Sequence, residues 1–162
     1  MQANPLADMN CSLAQTLAVI GERWTLMILR DAFFGVTRFD QFQRRLGVAR
    51  NVLAQRLGRL VDEGILAKSG GGSRRTAYRL TDKGFDLVPV LLAIAHWGDR
   101  HKPNPRGARM IFVDRDTGAP IQSMGIRAAD GRPLAPAELG MKRGPGLAPP
   151  SASANDQAAG PA

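Results

Sequence analysis

Apolar side chains recur at helical spacing through the first hundred residues and lose that rhythm beyond them. Leu13, Leu17 and Ile20 line one face of a first helix, with Asn10 or Ser12 available as its cap. After Gly21, the segment ERWTLMILRDAFF carries Trp24, Leu26, Met27, Ile28, Leu29, Phe33 and Phe34. That density predicts a central helix buried on more than one side and ended by Gly35. Phe39, Phe42 and Leu46 stripe a short helix closed by Gly47. A fourth helix, about Ala49 to Glu63, has two unlike faces. At about 100° per residue, Leu53, Leu57, Leu60 and Val61 share one side, with Asn51, Gln55 and Arg59 roughly opposite.

Gly64 stops that helix, and ILAKS, GGGSRR and TAYRLT then read as strand, glycine-rich turn and strand, with residues 69–75 at the tip. Thr81 caps a long helix from about Asp82 to His101, kinked where Pro89 removes a backbone donor. This helix carries two apolar stripes, one of Phe85, Val88, Leu92 and Ala95, the other of Leu87, Leu91 and Ile94. A single small domain covers one of them, so the second predicts a partner subunit. The fold class expected is mainly α with a small β wing: a winged helix-turn-helix, dimeric through its terminal helices.

Composition sets the boundaries. Residues 102–162 hold nine of the eleven prolines and eight of the eighteen glycines, so little packed structure is expected there. The division predicted is an arm (1–10), the winged domain (11–101), an extension (102–144) and a disordered tail (145–162). Within the extension, RMIFVD (109–114) and IQSMGIR (121–127) are candidate strands joined by RDTGAP. No run of 18 apolar residues occurs, and the N-terminus lacks the basic and apolar regions of a signal sequence, which predicts a cytoplasmic protein with no membrane partner. The one cysteine, Cys11, excludes an intrachain disulfide and any multi-cysteine metal site.

Charge then changes the picture. Residues 38–79 contain ten Lys and Arg against three acids, a local excess of +7, which suits a polyanion whose counterions are released on binding. Asn and Gln pair with adenine edges and Arg with guanine edges in the major groove, so Asn51, Gln55 and Arg59 are the base-reading candidates. Arg44, Arg45, Arg50 and Arg56 flank them as phosphate contacts, and Ser73, Arg74 and Arg75 form the wing tip. His96 and His101 lie five apart on one helix, the wrong interval for a metal pair, so neither a metal nor a cofactor is expected.

The runs CSLAQTLAVIGERWTLMILRDAFFGVTRFDQFQRRLG, NVLAQRLGRLVDEGIL and YRLTDKGFDLVPVLLAIAHWGDRH resemble, in this order, the HxlR family of bacterial winged-helix regulators, relatives of the MarR group. The resemblance covers residues 11–101. It implies a homodimer without catalytic activity, binding double-stranded DNA at a near-palindromic operator through Asn51, Gln55 and their neighbours, with a wing near Arg74. Repression relieved by a small-molecule effector is the leading expectation, and activation is also found in the family.

Three departures stand out. Where relatives commonly have Ser or Thr then Pro, this chain has Ala49 and Arg50, losing a cap typically worth ~1 kcal/mol, with Asn51 as a substitute cap. The wing is short and glycine-rich, and the extension has DTG and ADG turns where many relatives carry cysteines. Cys11 opens the first helix, where the helix dipole favours a thiolate, and matches a cysteine that some relatives use to sense quinones, aldehydes or oxidants. The alternative for Cys11 is a small buried hydrophobe. Two contrasting functions are an enzyme with Cys11 as nucleophile, which finds no base, and a winged helix used for protein contacts.

Overall fold

The computed structural model describes residues 4–71, 76–122 and 124–147. The chain divides into two compact units, Met1–Met124 and Gly125–Ala162. Among the described residues of the first are α1 (Ser12–Ile20), α2 (Thr25–Phe33), α3 (Phe39–Leu46), α4 (Arg50–Asp62), β1 (Leu66–Ser69), β2 (Ala77–Leu80), α5 (Asp82–Phe85) and α6 (Val88–His101). This is the expected order of a winged helix-turn-helix.

The core forms where the apolar faces of α2, α3 and α4 meet the hairpin. Ile28, Leu29, Phe42, Leu53, Leu57, Leu60 and Leu66 are all but inaccessible. Each such side chain contributes about 1.5–3 kcal/mol by leaving water. One charge lies among them. The Asp31 carboxylate has no exposure and is held by Arg30, through Nε at 2.9 Å and Nη2 at 2.7 Å, and by Arg45 Nε of α3 at 3.1 Å. α2 and α3 are thereby joined by charge-assisted hydrogen bonds as well as by packing.

β1 and β2 pair antiparallel in the register Leu66 with Leu80 through Ser69 with Ala77. Their base is anchored to the chain before α3, since Ala77 bridges Arg38 and the Tyr78 N–H donates to the Thr37 carbonyl at 2.8 Å. The expected tip residues Ser73, Arg74 and Arg75 lie outside the described residues.

Several local expectations change. Leu13 and Leu17 are exposed, at 67% and 41%, and α1 instead buries Ala14, Ala18 and Ile20. Cys11, not Asn10 or Ser12, occupies the N-cap of α1 and makes no side-chain capping bond. The helix expected from Asp82 to His101 is two helices. α5 ends at Phe85, and Pro89 stands in the first turn of α6, where its missing N–H leaves no helical bond unmade. Thr81 does cap, its hydroxyl accepting the Gly84 N–H at 3.2 Å. A β-carbon at Gly84 would lie 2.4 Å from the Ile65 carbonyl oxygen, so α5 packs this closely only on a glycine.

Residues beyond His101 do more than trail away. Phe112 stacks on Phe34 at 6.5 Å and meets the edge of His96 at 6.1 Å, while Arg109 pairs with Asp99 at 3.1 Å. Among the described residues of 109–122, one bridge, Val113 to Pro120, closes a turn in place of two full strands. In that turn the Asp114 carboxylate accepts the N–H groups of Thr117 and Asp116. The Thr117 N–H above all, then that of Asp116, holds its carboxyl below the usual carboxylate range. In the second unit, β3 (Ile126–Arg127) pairs with β4 (Pro133–Leu134), forward along the chain from the expected strand and not back with 109–114. The tail expected to be disordered falls, from residue 148 on, outside the described residues.

Candidate nucleic-acid interface

α3, a three-residue turn and α4 make the helix-turn-helix. Gly47 closes α3 at φ 63, a left-handed conformation that glycine adopts without strain and that turns the chain sharply enough for Val48 to be buried. Ala49 then caps α4 with extended backbone and no side-chain bond, and Asn51 lies inside the first turn rather than serving as a substitute cap.

With Leu53, Leu57 and Leu60 facing the core, the residues of α4 left in water are Asn51, Ala54, Gln55, Gly58 and Asp62, with Arg50 at its start. Asn51 and Gln55 are therefore side by side on the outer face, one turn apart. Ala54 and Gly58 flank them, and beside Gly58 the space that a β-carbon would enter is open. Neither has a hydrogen-bonding side chain. Their signal was size, because small residues on an outer helix face let the backbone come close to a partner surface.

Arg59 and Arg56 are positioned differently from the expectation. Arg59 Nη2 donates to the Ala18 carbonyl of α1 at 2.6 Å, in a partly buried setting. Arg56 pairs with Glu22 at 2.7 Å and its Nε donates to the Arg23 carbonyl at 3.4 Å, with only 14% of its side chain exposed. Both guanidiniums therefore turn back onto α1 and the α1–α2 turn. At about 100° per residue Arg56 sits beside the leucine stripe and Arg59 between it and Gln55, so the rotation along α4 contained this signal. Glu22 and Ala18, the groups that receive them, had no signal in the sequence.

Arg44, Arg45 and Arg50 are exposed. Arg50 lies over the Phe39 ring at 5.0 Å and donates to Gln43 Oε1 at 2.9 Å, with Asp40 at 3.5 Å. Arg44 Nε donates to the Asp40 carbonyl at 3.3 Å, and Arg45 is held by Asp31. Each of these bonds uses one or two of a guanidinium's five N–H groups, which leaves oriented donors facing outward. The arrangement is a polar helix face bordered by fixed cations, suited to a groove lined with phosphates. Cys11 lies apart from it, exposed at the head of α1. No cluster of metal-ligating side chains occurs among the described residues, and no helix there is long and apolar enough to cross a membrane.

A sequence model described as HxlR-like helix-turn-helix matches residues 19–105. Rv3095 of Mycobacterium tuberculosis, described as an uncharacterised HTH-type transcriptional regulator, is 45% identical over 98 residues. That match takes in 59% of this chain and 62% of the relative, so the chain spans under two thirds of the relative's length. The crystal structure of PA1607, described as a candidate transcription factor, superposes with a TM-score of 0.77 at 42% identity, covering 85% of this chain and 98% of that one. The redox regulator HypR in its reduced form superposes with a TM-score of 0.53 at 26% identity, covering 57% of this chain and 94% of HypR.

Proposed function

The chain belongs to the HxlR-like helix-turn-helix family, and on that premise we propose that it is a homodimeric, cytoplasmic regulator that binds double-stranded DNA at a near-palindromic operator. α4 enters the major groove. Asn51 and Gln55 read base edges, Ala54 and Gly58 admit the helix backbone, and Arg44, Arg45 and Arg50 engage phosphates on either side. Arg56 and Arg59 hold α4 in place instead of reading bases. The reading rests on one observation, the exposed Asn51–Gln55 face bordered by those three arginines. It contains no catalytic step.

The dimer is proposed through α1 and α6. Leu13 and Leu17 on α1, and Ile94 and Trp97 on α6, are exposed, and Trp97 is 61% accessible in the single chain. Large apolar groups on both terminal helices are what a second copy would bury.

The regulator acts as a repressor released by a small-molecule or redox signal. The exposed thiol of Cys11 supports the redox arm, as does the likeness to HypR. Footprinting on the DNA upstream of the protein's own gene tests the whole reading, and sequence-specific protection whose affinity falls steeply with salt is the expected result. Binding without sequence preference, even at low salt, would defeat it. If a Cys11→Ser protein keeps full induction by every electrophile that induces wild type, the thiol is not the sensor.

A further inference from the structure

Between α2, α6 and the 109–112 stretch lies a cavity of about 410 Å³, within the size range of small-molecule sites. Its walls are apolar, with Phe33, Phe34, Leu91, Leu92, Ala95 and Phe112 among them. Three cations, Arg30, Lys102 and Arg109, stand on its lining against one acid, Asp99, which Arg109 already pairs. An apolar chamber with surplus positive charge recognises a molecule having an aromatic or aliphatic body and an anionic group.

We propose that this cavity is an effector site for such an amphipathic anion, and that its occupancy is passed to the DNA-facing helices through Asp31. Arg30 is the link. Its Nε and Nη2 both bond Asp31 Oδ1, while its Nη1 meets, among the described residues, the Met27 sulfur at 3.9 Å. The other carboxylate oxygen, Oδ2, holds Arg45 of α3. An anion seated against Nη1 competes with Asp31 for the guanidinium and so alters the one charged tie between α2 and α3. The regulatory half of this inference rests on the DNA-binding reading above; the binding half does not.

The test uses the full chain and two fluorescent probes of like aromatic body, anilinonaphthalene sulfonate, which is anionic, and phenylnaphthylamine, which is neutral. Saturable binding of one sulfonate probe per chain is expected, roughly tenfold tighter than the neutral probe because charge-assisted bonds hold the anion. Lys102→Ala should narrow that gap. Gly98 lines the cavity and a β-carbon there meets nothing within 4 Å, so Gly98→Leu should fill it and abolish binding of both probes. Ala95→Phe, filling from a neighbouring wall, provides a second variant should the first misfold. The sulfonate probe should also weaken operator binding by wild type and leave Gly98→Leu unaffected.

Unchanged probe binding in both filling variants would overturn the site, and equal affinity for the two probes would overturn its anion preference. Filling variants that lose the dimer but still bind the probes assign the cavity to the subunit contact, which also overturns the proposal. Probe binding that leaves operator affinity unmoved refutes the coupling through Asp31. Should wild type bind the probes as expected but no DNA, the cavity stands and the DNA-binding reading falls.

Discussion

On α4, Gln55 and Arg59 are one turn apart; the first is in water, while the second donates to the Ala18 carbonyl. Gln55→Ala should therefore leave thermal stability unchanged and cost about 1–3 kcal/mol of specific operator affinity, measured as the difference between operator and scrambled DNA in a titration. Arg59→Ala should behave in the opposite sense. Losing the bond to Ala18 costs about 1 kcal/mol of stability, read as a lower denaturant midpoint, with base preference at the operator unaltered. A shift of base preference in Arg59→Ala would return that residue to the reading face. Asp114 offers a test by pH. Because its carboxyl is depressed by the Thr117 and Asp116 N–H groups, its contribution to the 114–119 turn is complete above the ordinary carboxylate value. It is lost as pH falls through the depressed folded value. The Thr117 amide resonance should accordingly titrate below the range of a free aspartate, and a midpoint at the ordinary value would remove the bond from solution.

Among the elements, α4 begins without a side-chain cap although Ala49 already has the extended backbone that a capping serine adopts. Ala49→Ser should raise stability by about 1 kcal/mol, visible as a higher melting temperature. α3 and α4 were legible because the apolar side chains they bury recur on one face: Phe42 on α3, and Leu53, Leu57 and Leu60 on α4. On α1 the face of Leu13 and Leu17 is exposed for a physical reason. Small Ala14 and Ala18 let α1 approach the core closely, and the larger leucines are left in water. The break between α5 and α6 was hidden as well, since a proline is equally at home in a first turn and at a kink. At the candidate site, periodicity found the outer face. It could not show that Arg56 and Arg59 have partners 34 and 41 residues away along the chain.

For the whole molecule, the proposed dimer makes the exposed groups of α1 and α6 testable together. Trp97→Glu and Leu13→Glu should each turn the dimer into a monomer in sedimentation and lower operator affinity far more than they alter the circular dichroism of the chain. A dimer that survives both substitutions places the subunit contact elsewhere. One further consequence follows from the two arginines that hold α4 against α1 and its following turn. If α1 belongs to the subunit contact, a recognition helix cannot swing independently of its own dimer, and the protein becomes a ruler: it measures the separation of two half-sites as well as their letters. One base pair inserted at the operator's centre displaces one half-site by about 3.4 Å along the duplex and turns it by roughly 35°. A rigid ruler should reject that operator although every contacted base is still present.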